Sequence, residues 1–357
     1  LGAAVTKVLV VHPGVHFSVA DVYNGVVKGL RENGCDVGVL NLDDRIEFYS
    51  RAYIALGDDE EAGYRKALTD TAAMEMAAQG IEATLYEWWP DIVIIVSGFF
   101  IPPKLWGVLR RRPHHVVYWC TESPYEDDRQ ATPARYADTV ILNDPSSLDW
   151  YRGEVNERTF YMPHSYDPDV HHPGGADPDL VCDFGFVGTG FPSRVDWFEQ
   201  VDWAGIDAKF GGNWQEVDDD SPLARLLLHP RGACIDNVDT ARLYRSCKAS
   251  LNLYRKEHSD NAHAAGWAMG PREVELAACG TFFFREARPE GDELFPMLPI
   301  VDEPHGFGDV LRWWLAHDSE RKSAAEAARA AIADRTFRNH TAEMLRLVEG
   351  AGRKIAA

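Results

Sequence analysis

No two of the six cysteines form a C-x-x-C pair, and basic residues are few beside acidic ones. Nor does any apolar run approach the ~18 to 20 residues that a membrane span requires. Each shortage argues against a class of function. Cys35, Cys120, Cys182, Cys234, Cys247 and Cys279 are scattered, mostly in apolar contexts. They read as reduced core thiols of a cytosolic protein and not as a disulfide or zinc framework. Thirty-six basic against fifty-six acidic residues give a formal net charge of -20, which repels polyphosphate over most of the surface and argues against a broad nucleic-acid footprint. A local basic patch that holds a nucleotide stays compatible with that balance. The N-terminus lacks the charged-then-apolar pattern of a signal peptide, and LGAAV is read as either a trimmed start or a cloning remnant, without functional weight. The expectation is a soluble, cytoplasmic protein with no membrane span, no short internal repeat and no low-complexity segment.

What is present is apolar material, 45% of 357 residues with 11% aromatics, enough for two ordinary cores. Lys7 to Val11 (KVLVV) followed by His12-Pro13-Gly14 has the signature of a buried parallel strand and its turn. Val19, Val22, Val26, Val27 and Leu30 then fall at helical spacing until Asn33-Gly34, and Val37 to Leu40 forms the next strand. A helix over Glu60 to Trp88 and strands at Ile92 to Val96, Val116 to Cys120 and Thr139 to Leu142 continue the alternation, which implies a parallel sheet covered on both faces. The proline-rich stretch Tyr161 to Pro173 reads as a linker.

Beyond it the rhythm restarts, with strands at Phe184 to Val187, Ala208 to Phe210, Ala249 to Leu253 and Thr281 to Phe284. Helices are expected near Arg194 to Val201, at Thr240 to Ser246 and from Pro271, then at Phe307 to Ala316, Glu320 to Ile332 and about His340 to Val348. The expected division is 1–163, 164–335 and a terminal helix over 336–357.

Two segments of the second half describe a pocket for a phosphate-linked donor. Asp183 to Arg194 (DFGFVGTGFPSR) runs from an apolar strand into Gly188-Thr189-Gly190, where glycines let backbone N–H groups approach a phosphate and Thr189 adds a hydroxyl. Arg194 can reach back as a bidentate donor. In Gly270 to Gly280 (GPREVELAACG), Pro271 suits the first helical position and exposes the positive end of the macrodipole. Arg272 and Glu275 share one face. Glu275 adjoins an apolar stretch where an idle carboxylate would be costly, and ribose hydroxyls would give it a partner. A tight turn without ligand and a surface ion pair are the plain alternatives.

These segments, with LNLYR at Leu251 to Arg255, R-x-x-E-L-A-A-C-G-T from Arg272, Glu293 to Phe295 and His340-Thr341, resemble the CgeB-type, spore-maturation-protein-like glycosyltransferases. The resemblance spans roughly residues 90 to 348 and takes in WCTESP at Trp119 to Pro124, LNDPSS at Leu142 to Ser147 and MPHSYDPDVHHP at Met162 to Pro173. It implies an α/β GT-B fold: two Rossmann-like domains facing across a cleft, with the C-terminal helix packing back toward the N-terminal domain. It further implies a nucleotide-sugar donor held by the C-terminal domain, with Gly188, Thr189 and Gly190 on the diphosphate and Glu275 on the ribose. Arg194 and Arg272 would neutralise the leaving charge. The long segment Lys256 to Met269 departs from the family pattern, and Asn261, His263 and Trp267 there either shape sugar choice or form a simple loop.

The expected reaction moves a sugar from a UDP-linked donor, a substrate and not a cofactor, to an unidentified protein, glycan or small-molecule acceptor. Cationic side chains and a helix N-terminus would stabilise the departing diphosphate without metal. Asp218-Asp219-Asp220 superficially matches a D-x-D metal signature but reads as a solvated loop, and the paired histidines lack a third ligand. An inverting enzyme needs a base. His16, just after the first strand, is the candidate, oriented by Glu122; a retaining enzyme needs none. Trp214 serves either for stacking on the ligand or for core packing. A sugar-nucleotide epimerase or hydrolase, or a non-catalytic sugar-nucleotide-binding protein, fits the same motifs.

Overall fold

The computed structural model describes residues 5–15, 19–56, 70–111, 113–257 and 265–351. By its contacts the chain divides into two units. One holds the chain up to Pro163 together with the segment from Phe337; the other holds His164–His258 and Trp267–Thr336.

The first unit is a six-stranded parallel sheet in the order β2-β1-β3-β4-β5-β6. The strands are β1 (Lys7–Val11), β2 (Asp36–Leu40), β3 (Ile92–Val96), β4 (His115–Trp119), β5 (Thr139–Leu142) and β6 (Thr159–Tyr161). Unbroken apolar runs such as IVIIV in β3 are buried along their whole length, as strands covered on both faces must be. Helices α1 (Ala20–Glu32), α2 (Leu42–Leu56), α3 (Asp70–Trp88), α4 (Pro103–Arg110), α5 (Asp127–Ala134) and α6 (Leu148–Trp150, running into a π-helical turn at Tyr151–Val155) connect them.

Neither α2 nor β6 is among the elements expected from sequence. Asn41 starts α2 by accepting the N–H groups of Asp43 and Asp44 at 2.9 and 3.2 Å, the usual N-cap bond. Part of the helix expected over Glu60 to Trp88 falls outside the described residues; the rest is α3.

The second unit has four parallel strands in the order β10-β9-β7-β8: β7 (Cys182–Val187), β8 (Ala208–Gly211), β9 (Cys247–Asn252) and β10 (Phe283–Arg285). Its helices are α7 (Pro192–Glu199), α8 (Asn237–Ser246), α9 (Pro271–Cys279), α10 (Pro289–Leu294), α11 (Phe307–Ala316) and α12 (Asp318–Ala331). The core is strongly aromatic. Phe186, Phe198 and Phe210 meet Trp214 at ring separations of 5.7, 6.0 and 5.3 Å.

After α12 the chain forms α13 (Phe337–Glu349), which packs on α1 in the first unit. Two glycines of α1 make room for it. A Cβ on Gly25 would stand 2.2 Å from the Phe337 ring, and one on Gly29 would stand 2.6 Å from the Phe337 carbonyl oxygen. Asn33 ties the ends together, its Nδ2 donating to Arg338 O at 2.8 Å and to Thr341 Oγ1 at 3.0 Å. Phe337, Met344 and Val348 join Val8, Val26 and Leu30 in one core.

Candidate functional site

In the second unit, β7 leads out to β8 on one side while β9 lies on the other. The order reverses between β7 and β9, and in open parallel sheets ligands gather beyond the carboxyl ends of the strands at such a point. The turn Gly188-Thr189-Gly190 follows β7, and Tyr254 and Arg255 follow β9.

The glycines of that turn act through their missing side chains. The N–H of Gly188 donates to Gly211 O at 3.0 Å and that of Gly190 to Asn213 O at 2.7 Å. Both donors are thus engaged by the end of β8 and the chain just beyond it, which corrects the expectation that they point at a phosphate. A Cβ on Gly188 would stand 2.9 Å from Arg272 Nη2 and 3.3 Å from Arg194 Nη1, and one on Gly190 would stand 2.3 Å from the Trp214 ring. Gly188 therefore leaves room for two guanidinium groups, and Thr189 is exposed between the glycines.

Arg194, buried in the first turns of α7, donates from Nη1 to Thr189 O at 2.9 Å and from Nη2 to Leu253 O at 2.6 Å. It ties the β7 turn to the end of β9 while carrying its charge into the site. Arg194 and Arg255 lie 5.3 and 5.4 Å from the centre of the Phe191 ring, and Arg272 lies 5.5 Å from that of Phe186. The apolar ring faces favour these cations. Arg255 is a site residue that the sequence reading leaves out, although it closes the LNLYR motif.

Helix α9 starts at Pro271 after Gly270 and stops at Gly280, whose φ of 73° is the left-handed conformation glycine adopts freely. Arg272 and Glu275 are its half-buried positions on one face, as their spacing predicts, while Glu273, Val274 and Leu276 to Cys279 are buried. The carboxylate enclosed by the core is Glu273, with no exposed surface. Its Oε2 accepts the N–H of Gly270 at 2.8 Å and also the Tyr254 hydroxyl, and its Oε1 is buried without a hydrogen-bond partner.

Burial pushes the Glu273 carboxyl up to about 7, against the opposing pull of the Tyr254 hydroxyl, the Gly270 N–H and Arg285. Glu at the third helical position is a capping-box signal, which is how the sequence could have disclosed it. Its neighbours are likewise carboxylates that hold backbone donors. Tyr254 N donates to Glu286 Oε2, and Met269 N to Glu290 Oε2 at 2.7 Å.

Other candidates are placed as follows. Trp214 has no exposed surface and donates to Gly211 O at 3.0 Å, so it packs the core and is closed to a ligand. Asp218, Asp219 and Asp220 are exposed, and Asp219 pairs with Arg231 at 2.7 Å. Trp267 is half-buried; Asn261 and His263 lie outside the described residues, as does His16. Among the described residues, no three His, Cys, Asp or Glu side chains are grouped to hold a metal ion, and no helix is long and apolar enough to cross a membrane.

In the first unit, Glu122 lies just beyond β4 in a braced loop. Gln130 Oε1 accepts the N–H groups of Thr121 and Glu122, both at 3.1 Å, and Asn143 grips the backbone of Ser123. His12, at the end of β1, accepts the Gly14 N–H on Nδ1 at 3.1 Å. Burial lowers its pKa, with Asp43 and Asp44 opposing.

Comparison with known proteins agrees with this geometry. Residues 194–346 match the family described as glycosyl transferase-like. Spore protein CgeB of Bacillus subtilis (strain 168) is 18% identical over 246 residues, covering 67% of this chain and 76% of that protein. Sucrose-phosphate synthase from Thermosynechococcus elongatus superposes with a TM-score of 0.66 at 11% identity, over 97% of this chain and all of that one. The Anabaena protein HepE in complex with UDP-glucose gives 0.59 at 15% identity, over 95% of this chain and 99% of that one. By fold, then, the chain is a GT-B protein with two Rossmann-like units, and by sequence it is similar to the CgeB-type glycosyltransferases.

Proposed function

We propose that this protein is a metal-independent glycosyltransferase that moves a sugar from a nucleoside-diphosphate sugar, UDP-linked, to a separate acceptor. The observation that carries this reading is the meeting of Arg194 and Arg272 over the Cβ-less Gly188, at the point where strand order reverses. Binding of UDP-glucose by the related fold of HepE supports the choice of donor.

As the glycosidic bond to the diphosphate breaks, negative charge grows on the leaving oxygen. Arg272 and the N-terminus of α9 supply fixed positive charge to meet it, which is where electrostatic catalysis is most effective. Arg194 adds charge and fixes the turn, Thr189 offers its hydroxyl, and Gly188 and Gly190 permit close approach. Glu275, one helical turn from Arg272, accepts the ribose hydroxyls.

On the acceptor side, sequence assigns the base of an inverting reaction to His16, with Glu122 orienting it; a retaining reaction uses the donor phosphate instead. The cysteines, all unpaired, suit the reducing cytoplasm as the place of work.

A thermal-shift screen against a nucleotide-sugar panel identifies the donor, since a molecule that binds only the native state raises the melting temperature. Calorimetry on Arg272→Ala and Glu275→Ala then tests the site. Each substitution should weaken donor binding at least about tenfold, equivalent to about 1.4 kcal/mol. Unchanged affinity in both variants refutes the assignment.

A further inference from the structure

We propose that Glu273 is a positioning residue whose carboxylate occupies the N-terminus of α9 in the free protein and takes up a proton from solvent when a donor diphosphate arrives. The inference rests on the donor-site reading above and adds a coupling that the reading does not contain.

The geometry supplies the competition. The start of α9 has few donors to offer: Pro271 has no N–H, the Gly270 N–H is held by Glu273 Oε2, and the Glu273 N–H returns to Gly270 O at 3.2 Å. The helix start is thus already faced from below by a carboxylate of its own chain. A diphosphate on Arg272 and the same helix start places a second anion within one turn of the first. Two like charges sharing a site raise the proton affinity of the weaker acid.

Glu273 is suited to yield. It is fully enclosed, and its Oε1 lacks a hydrogen-bond partner that would stabilise the anion. Its carboxyl already titrates at about 7, chiefly because of burial. Protonation leaves Oε2 as acceptor for Gly270 and Tyr254, so the helix start keeps its shape while its charge changes.

Several of the charged groups packed around Glu273 are held in pairs of their own. From β10, Arg285 is paired with Asp292, and from α10, Glu290 is paired with Arg335. Tyr254, after β9, lies beneath the Arg288 guanidinium at 4.2 Å, and Glu286 holds its N–H. On α8 are Tyr244, raised by burial, and Arg245; on α12 Arg321 is paired with Asp318. Arg272 and Glu275 share the helix itself.

Donor binding is measured by calorimetry in buffers of differing ionisation enthalpy, using the nucleoside-diphosphate sugar that gives the largest thermal shift in the panel. Such a molecule does not itself titrate near neutrality. If the bound diphosphate raises the carboxyl by about one pKa unit, the wild type takes up about half a proton near pH 7.5 and binds about tenfold tighter at pH 6 than at pH 9. Glu273→Gln, neutral at every pH, should bind like the low-pH wild type with no uptake from this site. Tyr254→Phe removes a bond that favours the anion and should move the uptake maximum to higher pH, which a purely structural role would not do.

Equal proton uptake in wild type and Glu273→Gln, or an unshifted maximum in Tyr254→Phe, overturns the inference while leaving the donor site standing. A wild type that binds no nucleoside-diphosphate sugar overturns the donor-site reading and this inference with it.

Discussion

Replacing Glu273 by Gln should make stability less dependent on pH, in a direction fixed by linkage. In the unfolded chain the carboxyl titrates near 4.5, and in the folded protein at about 7. Between those values the native state binds the proton more tightly. Stability contributed by the protonated carboxyl is therefore fully present below pH 4.5 and is lost as pH rises through 7.

Taking those two values, the wild type loses about 2 to 3 kcal/mol from this group between pH 5 and pH 8. The figure applies in full because the side chain has no exposed surface. For a unit of this size, 1 kcal/mol moves a melting midpoint by roughly 2–4 °C. The midpoint of Glu273→Gln minus that of wild type should accordingly rise by about 5–10 °C from pH 5 to pH 8. Scanning calorimetry of both proteins at each pH cancels the titrations they share. A difference that stays constant across the range shows that Glu273 does not titrate there, and the reasoning fails.

Other expectations follow from packing. Gly190→Ala drives a methyl group into the fixed Trp214 ring, 2.3 Å away, so it should lower unfolding free energy by about 1–3 kcal/mol; a denaturation midpoint equal to wild type contradicts the close approach. Phe337→Ala empties the contact between α13 and the Gly25 surface of α1 and should cost about 3–5 kcal/mol, read by urea unfolding. A loss under 1 kcal/mol means that α13 does not complete that core.

Much of the architecture is readable in the sequence because burial on both faces leaves strands such as Ile92–Val96 without a polar residue. Pro271 and Gly280 mark α9 as plainly. Less is readable where the deciding partner is remote or the element weak. β6 is three residues at a sheet edge, and α2 opens on charged residues behind an Asn cap. Gly188-Thr189-Gly190 is found correctly as a turn, yet its N–H groups are claimed by Gly211 and Asn213, more than twenty residues on.

The spacing of Arg272 and Glu275 gives their shared face, whereas the deeper carboxylate is Glu273. Which side of α9 is sealed depends on β9, β10, α8 and α12 closing around it. No local pattern contains that information.

The packing of α13 on α1 also bears on how the chain is made. Asn33 and Arg338 are hydrogen-bonded across 305 positions, so at about 5–20 residues per second a ribosome needs roughly 15–60 s to produce the second after the first. Throughout that interval the side of α1 that presents Gly25 and Gly29 lacks its cover, and the Phe337, Met344 and Val348 share of the core is missing. The second unit, by contrast, has all its strands once β10 is made. The half of the protein synthesised first is thus the half finished last, and its exposed interval during synthesis is where a chaperone or a misfolding event would act.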